Sequence, residues 1–200
     1  MKKETIQKIL QIVKENGVVR PLDLDSHGLP REYLSRLYRK GLLAKTGRGL
    51  YVHPDAEPTE QRTLAEVSKR VPEGVVCLVS ALQYHELTTQ MPPVVWLAID
   101  RKARLPRVPQ LPLKIVRFSG KALTEGIEEQ KIEGVPVKVY SAAKTVADCF
   151  KYRNKIGLDI AVEALRECLR YHKCLNDDLY YFAKICKVWN IMRPYLEAMS

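Results

Sequence analysis

Hydrophobic residues near the start of the chain recur at the three- and four-residue spacing of an amphipathic helix. The pattern predicts a helix from about Lys3 to Glu15, which Asn16-Gly17 would end. Its apolar face consists of Ile6, Ile9, Leu10 and Val13. A short second helix is predicted near Pro21 to Ser26, and His27-Gly28-Leu29 would form the turn that follows.

A third helix with two contrasting faces is predicted to begin at Pro30, because proline is well tolerated in the first helical turn. Its apolar side carries Tyr33, Leu34, Leu37, Tyr38 and Gly41. Its polar side carries Arg31, Glu32, Ser35, Arg36 and Arg39, with Lys40 at the margin. Gly41 can end this helix in a left-handed conformation, which glycine adopts without steric cost.

A β-hairpin is predicted directly after this helix. The runs Leu43-Ala44-Lys45 and Leu50-Tyr51-Val52 flank Thr46-Gly47-Arg48-Gly49, and the two glycines permit the positive φ angles that short hairpin loops need. The order helix, short helix, turn, helix, hairpin is that of a winged helix-turn-helix. We therefore predict such a DNA-binding domain over residues 1–56.

In this interpretation the third helix enters the major groove and the hairpin is the wing. Arg31, Arg36 and Arg39, with Lys40 beside them, would contact base edges or phosphates, and Lys45 and Arg48 would hold a neighbouring phosphate strand. A basic face on an isolated helix is usually only solvated. The elements upstream and downstream of this helix favour the DNA-binding interpretation.

The remaining residues predict a second domain, 57–200, after a proline-bounded linker at His53 to Pro58. Short apolar strands alternate with turns up to Tyr140, and a helical pattern begins at Ser141. A final helical segment is predicted from Asp177 to about Met199, in which Pro194 could introduce a kink. The fold class is therefore α+β, with a winged helix-turn-helix followed by a domain that has a small mixed sheet and a helical half.

Charge is concentrated at the N-terminus. Of a formal net charge of +10, residues 1–56 carry half, with 11 Lys and Arg against 6 Asp and Glu. The charge density there is more than twice that of the remainder, as expected of a segment that meets phosphate. No signal peptide or membrane-spanning run is recognisable, so we expect a cytoplasmic protein that does not associate with membranes.

The candidates for catalysis and metal binding are weak. Asp100, Glu129 and Lys131 could form the acid and E-x-K set of a Mg²⁺-dependent nuclease, although E-x-K arises often by chance. Asp148 is expected to be a surface charge or the partner of a capping loop. The basic loop of Arg101, Lys102, Arg104 and Arg107 could bind phosphate, dock an acidic partner or simply be solvated. We therefore expect no enzymatic activity, no metal and no cofactor.

The five cysteines lie within otherwise apolar runs, at positions 77, 149, 168, 174 and 186. Cys168, His172 and Cys174 could approach a metal, but structural zinc usually needs four ligands in paired motifs. Buried, reduced thiols are the expected state.

Several short segments, in their order along residues 5–170, resemble the AbiEi-type antitoxins of type IV toxin–antitoxin systems. The segments are Gly47-Arg48-Gly49-Leu50-Tyr51, Ser80-Ala81-Leu82 with His85-Glu86-Leu87, Val95-Trp96-Leu97-Ala98-Ile99, Tyr140-Ser141 with Lys144-Thr145-Val146-Ala147-Asp148, and Gly157-Leu158-Asp159 with Ala161-Val162-Glu163-Ala164-Leu165. The tail, residues 171–200, departs from the family pattern.

The resemblance implies a transcriptional autorepressor that binds inverted repeats in its own promoter, as a monomer or weak dimer with two copies on DNA. It adds Ser35 to the DNA-contact positions already named. The C-terminal domain would counter a nucleotidyltransferase-like toxin without forming a stable complex. Two alternatives stay open: the nuclease described above, and a docking module whose winged helix contacts protein.

Overall fold

The computed structural model describes residues 3–56, 61–108 and 111–199. These residues form an α+β protein that divides into two compact units. The first unit comprises Met1–Arg70 and Lys131–Val137, and the second comprises Val71–Gln130 and Lys138–Ser200. The first unit is therefore larger than the predicted domain 1–56, and residues 57–58 of the predicted linker lie outside the described residues.

Helices and one hairpin make up the N-terminal part of the first unit. In chain order these are α1 (Lys3–Asn16), a 3-10 helix (Pro21–His27), α2 (Glu32–Arg39), β1 (Ala44–Gly47), β2 (Leu50–Val52) and α3 (Arg62–Arg70). A compact core joins α1, the 3-10 helix, α2 and β2, because each of these elements turns apolar side chains inward. Its buried members are Ile9, Ile12, Val13, Val19, Leu24, Leu34, Leu37, Leu43 and Tyr51.

Two glycines allow the backbone of residues 131–137 to lie close against the end of α1. A Cβ atom on Gly17 would lie 1.7 Å from the carbonyl oxygen of Glu133, and one on Gly134 would lie 2.3 Å from the carbonyl carbon of Asn16. Both glycines also have positive φ angles. Gly17 thus ends α1 as predicted, and it also permits a backbone approach that no other residue would allow.

The described residues contain a five-stranded mixed sheet, and the sequence predicts a mixed sheet. Its strands are β3 (Val75–Val76), β4 (Val95–Asp100), β5 (Leu113–Phe118), β6 (Ile127–Ile132) and β7 (Val135–Tyr140), in the spatial order β5-β4-β3-β7-β6. Strand β3 is antiparallel to β4 and parallel to β7, and β4 is parallel to β5.

The second unit is mainly helical beyond the sheet. Its helices are α4 (Leu78–Tyr84), α5 (Lys121–Thr124), α6 (Ala142–Lys151), α7 (Arg153–Ile156), α8 (Leu158–Arg170), α9 (Asn176–Ile185) and α10 (Trp189–Met199). The single predicted helix from Asp177 to Met199 is thus two helices. The break comes at Lys187, whose φ angle is +59°, whereas Pro194 is accommodated inside α10.

Asp148 is buried, so the prediction of a surface charge is wrong. Ser141 caps α6 as predicted, but this helix is enclosed by the surrounding core along nearly its whole length. Asp148 pairs there with Lys144, and both side chains are at most 1% exposed. A helix buried on all sides has no solvent face to which its charged residues could be assigned.

Cysteine pairing also differs from expectation. Cys168 and Cys174 form a disulfide, so the expectation that all five cysteines are reduced is wrong. Cys77, Cys149 and Cys186 are free and buried. Because the two paired sulfurs bind each other, they are not metal ligands, and no cluster of metal-binding side chains occurs in the described part of the chain.

Among the residues that the structure describes, no helix is long and apolar enough to cross a bilayer.

Candidate nucleic-acid interface

The helix α2 presents its polar side to solvent because its apolar side is anchored in the core. Leu34 and Leu37 are fully buried, and Gly41, with a φ angle of +72°, ends the helix as the sequence predicts. Tyr38, predicted on the apolar side, is exposed instead. Its ring lies at the edge of the helix, against Tyr51 of the hairpin at a centroid distance of 6.4 Å.

Arg31, the first of the predicted contact residues, is held by an acidic neighbour. Its Nε donates to Oδ1 of Asp25 over 2.8 Å, and its Nη2 donates to Oδ2 of the same carboxylate. This bidentate hydrogen bonding lowers the pKa of Asp25 and raises that of Arg31. The guanidinium therefore ties the 3-10 helix to the start of α2, a partner that helical periodicity alone did not indicate.

Arg36 has a looser partner. Its Nη2 lies 2.9 Å from Oε1 of Glu32, one turn earlier on the same helix, and both side chains are more than half exposed. Its guanidinium also lies 5.8 Å from the ring centroid of Tyr33. An exposed pair at this spacing contributes only about 0.3–0.5 kcal/mol, so Arg36 can exchange Glu32 for another anion at little cost.

Arg39 and Lys40 form the open basic end of α2. Both are exposed, and neither makes an ion pair with any residue that the structure describes. Ser35 is half-buried on the same helix. Among the predicted helix positions, Arg39 and Lys40 thus retain the most freedom to bind an anion from outside.

The hairpin that follows α2 carries two more of the predicted DNA-contact residues, Lys45 and Arg48. Strands β1 and β2 are antiparallel, with a bulge between Lys45 and Gly47. The Nζ atom of Lys45 lies 4.4 Å from the ring centroid of Tyr38 and 5.4 Å from that of Tyr51. This cation–π contact orients the Lys45 ammonium beside α2 while leaving the residue exposed.

Arg48 lies at the end of the hairpin and is exposed. Only one of the two loop glycines uses a positive φ angle: Gly49 has +71°, whereas Gly47 belongs to β1. The hairpin is connected to a third segment by reciprocal hydrogen bonds between the backbones of Val19 and Tyr51, each 2.9 Å long.

An ion-pair network that the sequence did not predict joins the 3-10 helix to α3. Asp23 of the 3-10 helix binds Lys69 of α3 at 2.7 Å and Arg20 at 3.2 Å. Burial raises the pKa of Asp23, but its hydrogen bonds to Lys69 and to the backbone of Arg20, together with both charges, lower it further than burial raises it. Lys69 is 49 residues from Arg20, too far for local spacing to reveal the contact.

The nuclease alternative is contradicted by the order of the strands. Asp100 ends β4 and Glu129 lies on β6, and β3 and β7 separate these two strands. At about 4.8 Å per strand, the backbones of β4 and β6 lie on the order of 14 Å apart. This is too far for Asp100 and Glu129 to share one metal ion. Asp100 instead accepts a hydrogen bond from the backbone of Lys102.

The basic loop of residues 101–107 lies in the second unit. Its cations Arg101, Lys102, Arg104 and Arg107 are all exposed. The loop is shaped by Arg117, whose Nη1 donates to the carbonyl oxygens of Asp100, Arg101 and Ala103. Its exposed side chains are compatible with solvation, which the sequence left as one of three interpretations.

The chain is similar to a solved structure in its fold and to a protein family in its N-terminal sequence. The fold is similar to that in the crystal structure of the RV2827C protein from Mycobacterium tuberculosis, with a TM-score of 0.63 and 12% sequence identity over 100% of this chain and 78% of that chain. At this identity the similarity concerns the fold alone. No curated protein matches the sequence. Residues 7–54 match the model of a family described as "Transcriptional regulator, AbiEi antitoxin". Over those residues, which include α2 and the hairpin, this match confirms the resemblance to the AbiEi antitoxin family of transcriptional regulators.

Proposed function

We propose that this chain is a DNA-binding repressor of its own operon and the antitoxin of a type IV toxin–antitoxin system. In this proposal the first unit contains a winged helix-turn-helix, with α2 as the recognition helix and β1–β2 as the wing. The observation that carries the proposal is the group of exposed cations on two adjoining elements, Arg39 and Lys40 on α2 and Lys45 and Arg48 on the hairpin. The family match over residues 7–54 supports it.

The predicted contact residues differ in how readily they can meet DNA. Arg39 and Lys40 need break no ion pair with another described residue. Arg36 must give up a weak pair with Glu32. Arg31 can serve the interface mainly by holding α2 in place, because Asp25 already occupies its guanidinium. Ser35 can donate a hydroxyl hydrogen bond from the same helix.

The wing would contact the phosphate strand beside the major groove. Lys45 and Arg48 are exposed cations on a hairpin that packs against α2 through Tyr38 and Tyr51. Phosphate contacts set the register of a protein on DNA and make binding depend on salt. Binding to inverted repeats would bring two copies of the chain to one operator.

The C-terminal unit would provide the antitoxin activity. By the family resemblance, its target is a nucleotidyltransferase-like toxin, which it would counter without a stable complex. The test is co-expression with the product of the neighbouring gene. Growth should be rescued by the wild-type chain, and it should be rescued equally by a variant that no longer binds DNA.

Binding to the operator is tested by titrating upstream intergenic DNA at several salt concentrations. The variant Arg39→Ala/Lys40→Ala should bind about tenfold to a hundredfold more weakly, and the slope of log K against log salt should fall by up to about 2. The matched control is Lys8→Ala/Lys14→Ala, which removes the same charge from exposed positions on α1. It should bind almost as tightly as the wild type.

Equal losses in the two variants would mean that net charge alone drives binding, which refutes the assignment of α2. If the wild-type chain binds no DNA and instead co-purifies with a partner, the winged helix is a protein-docking module.

A further inference from the structure

The tip of the β1–β2 hairpin has little intrinsic rigidity. Arg48 and Gly49 connect the last paired residues, Gly47 and Leu50. Two glycines within three residues allow the loop many conformations. The short strands contribute four and three residues. Without additional support, such a tip would have to be ordered each time it met a phosphate strand, and that ordering would weaken binding.

Arg70, the last residue of α3, supplies support to this tip. Its Nη2 atom donates to the carbonyl oxygen of Arg48 over 2.6 Å. The same atom would lie 3.2 Å from a Cβ atom on Gly47, so the guanidinium packs closely against the neighbouring backbone as well. Because the peptide unit is planar, fixing the carbonyl of Arg48 also fixes the orientation of the bond to Gly49.

The end of α3 is itself held in place. Lys69, directly before Arg70, binds Asp23 of the 3-10 helix at 2.7 Å, and its carbonyl oxygen accepts a hydrogen bond from Arg20. All of these residues belong to the first unit. Arg70 therefore extends from a fixed base to the end of the hairpin.

The guanidinium of Arg70 is turned toward the protein. Its Nε atom is buried and has no hydrogen-bond partner among the described residues, and its Nη2 is committed to Arg48. An arginine in this position is poorly placed to contact a phosphate directly. The side chain of Arg48, by contrast, is exposed.

We propose that Arg70 is a positioning residue that orders the wing so that Arg48 meets the DNA backbone. This inference rests on the proposed function, and it extends the DNA-reading machinery beyond the matched segment 7–54 to the end of α3. Arg70 acts through Arg48 and makes no contact with DNA.

The experiment is a double-mutant cycle on operator affinity with Arg70→Ala, Arg48→Ala and the double variant. Arg70→Ala should weaken binding by about fivefold to thirtyfold, the factor that corresponds to ordering the backbone of one residue, and should leave the salt slope unchanged. Arg48→Ala should lower that slope by about 0.9, as expected for one lost phosphate contact. The double variant should bind no more weakly than Arg48→Ala, because Arg70 has no effect without Arg48.

Two further variants, together with NMR, distinguish a positioning role of Arg70 from a loss of folding and from a general effect of charge. Arg70→Lys, which can still donate to the Arg48 carbonyl, should recover part of the affinity. Lys8→Ala, which removes one charge from α1, should have almost no effect. NMR order parameters should fall at Arg48 and Gly49 in Arg70→Ala and stay unchanged in α1, which shows that the domain is folded.

A lowered salt slope in Arg70→Ala would mean that Arg70 contacts phosphate, and fully additive losses in the cycle would mean that it acts elsewhere. Either result overturns the inference, as do unchanged order parameters at the wing. If the wild-type chain binds no DNA, the proposed function fails, while the order parameters still decide whether Arg70 holds the hairpin.

Discussion

Replacing Lys144 with methionine should destabilise the second unit severely, because it leaves a carboxylate buried without its partner. The Nζ atom of Lys144 lies 2.5 Å from Oδ2 of Asp148, and their side chains are 0% and 1% exposed. The other carboxylate oxygen accepts a hydrogen bond from Sγ of Cys186 over 3.1 Å. Lys144 also lies 4.1 Å from the ring centroid of Tyr140. Methionine keeps most of the side-chain volume and removes only the charge and its hydrogen bond.

The expected loss is about 3–5 kcal/mol at neutral pH, the usual cost of breaking a buried ion pair from one side. This is a large part of the roughly 5–15 kcal/mol by which domains are stable. With a dependence of about 1–3 kcal/mol per molar urea, the unfolding midpoint should fall by roughly 1–5 M. The variant Lys144→Met/Asp148→Leu should recover most of the loss, because it removes both charges together.

The pH dependence of this variant has a definite sign. Burial raises the pKa of Asp148, and the charge and hydrogen bond of Lys144 oppose that rise. Without Lys144 the folded pKa should rise further above the unfolded value of 3.8. A raised folded pKa contributes stability that is fully present below the unfolded pKa and is lost as the pH rises through the folded one. The deficit of Lys144→Met should therefore be smaller at about pH 5 than at about pH 8.

Tryptophan fluorescence measures this transition selectively. The chain has two tryptophans, Trp96 and Trp189, and both lie in the second unit. Urea titrations of the wild type, the single variant and the double variant at two pH values complete the experiment. If Lys144→Met unfolds at the wild-type midpoint, or if its deficit grows as the pH falls, the reasoning about the buried pair is refuted.

Two other predictions concern the first unit. Gly17→Ala should destabilise it by more than about 2 kcal/mol, since the new Cβ would meet the carbonyl oxygen of Glu133 at 1.7 Å. The control is Gly28→Ala, because Gly28 has a similar φ angle but nothing within 4 Å of its Cβ. This variant should cost only about 1–2 kcal/mol. Equal melting temperatures by circular dichroism would contradict this comparison. Asp23→Asn should reduce the acid sensitivity of folding, because the lowered pKa of Asp23 contributes stability above the ordinary value of 3.8 that is lost as the pH falls through the folded value. Acid titrations of wild type and variant that run parallel between about pH 5 and pH 2 would contradict this assignment.

The sequence by itself determined the features that depend on neighbouring residues. The apolar spacing along α1 and α2 placed Ile9, Val13, Leu34 and Leu37 in the core, because helical periodicity is a local property. Gly41 ended α2 with a positive φ angle, and the hairpin formed where strand-like runs flank two glycines. The DNA-contact residues stay a prediction, but their positions on α2 and the hairpin follow from the same local rules.

Only the tertiary structure decided which charged groups are free and which are paired. Arg70 reaches Arg48 across 22 residues, and Asp148 meets Cys186 across 38; no spacing rule extends over such separations. The sequence could not predict the burial of Lys144 and Asp148. Opposite charges at i, i+4 have the same spacing on a solvated helix as on an enclosed one. Burial depends on what packs around a helix, and this is decided by residues far away in the chain.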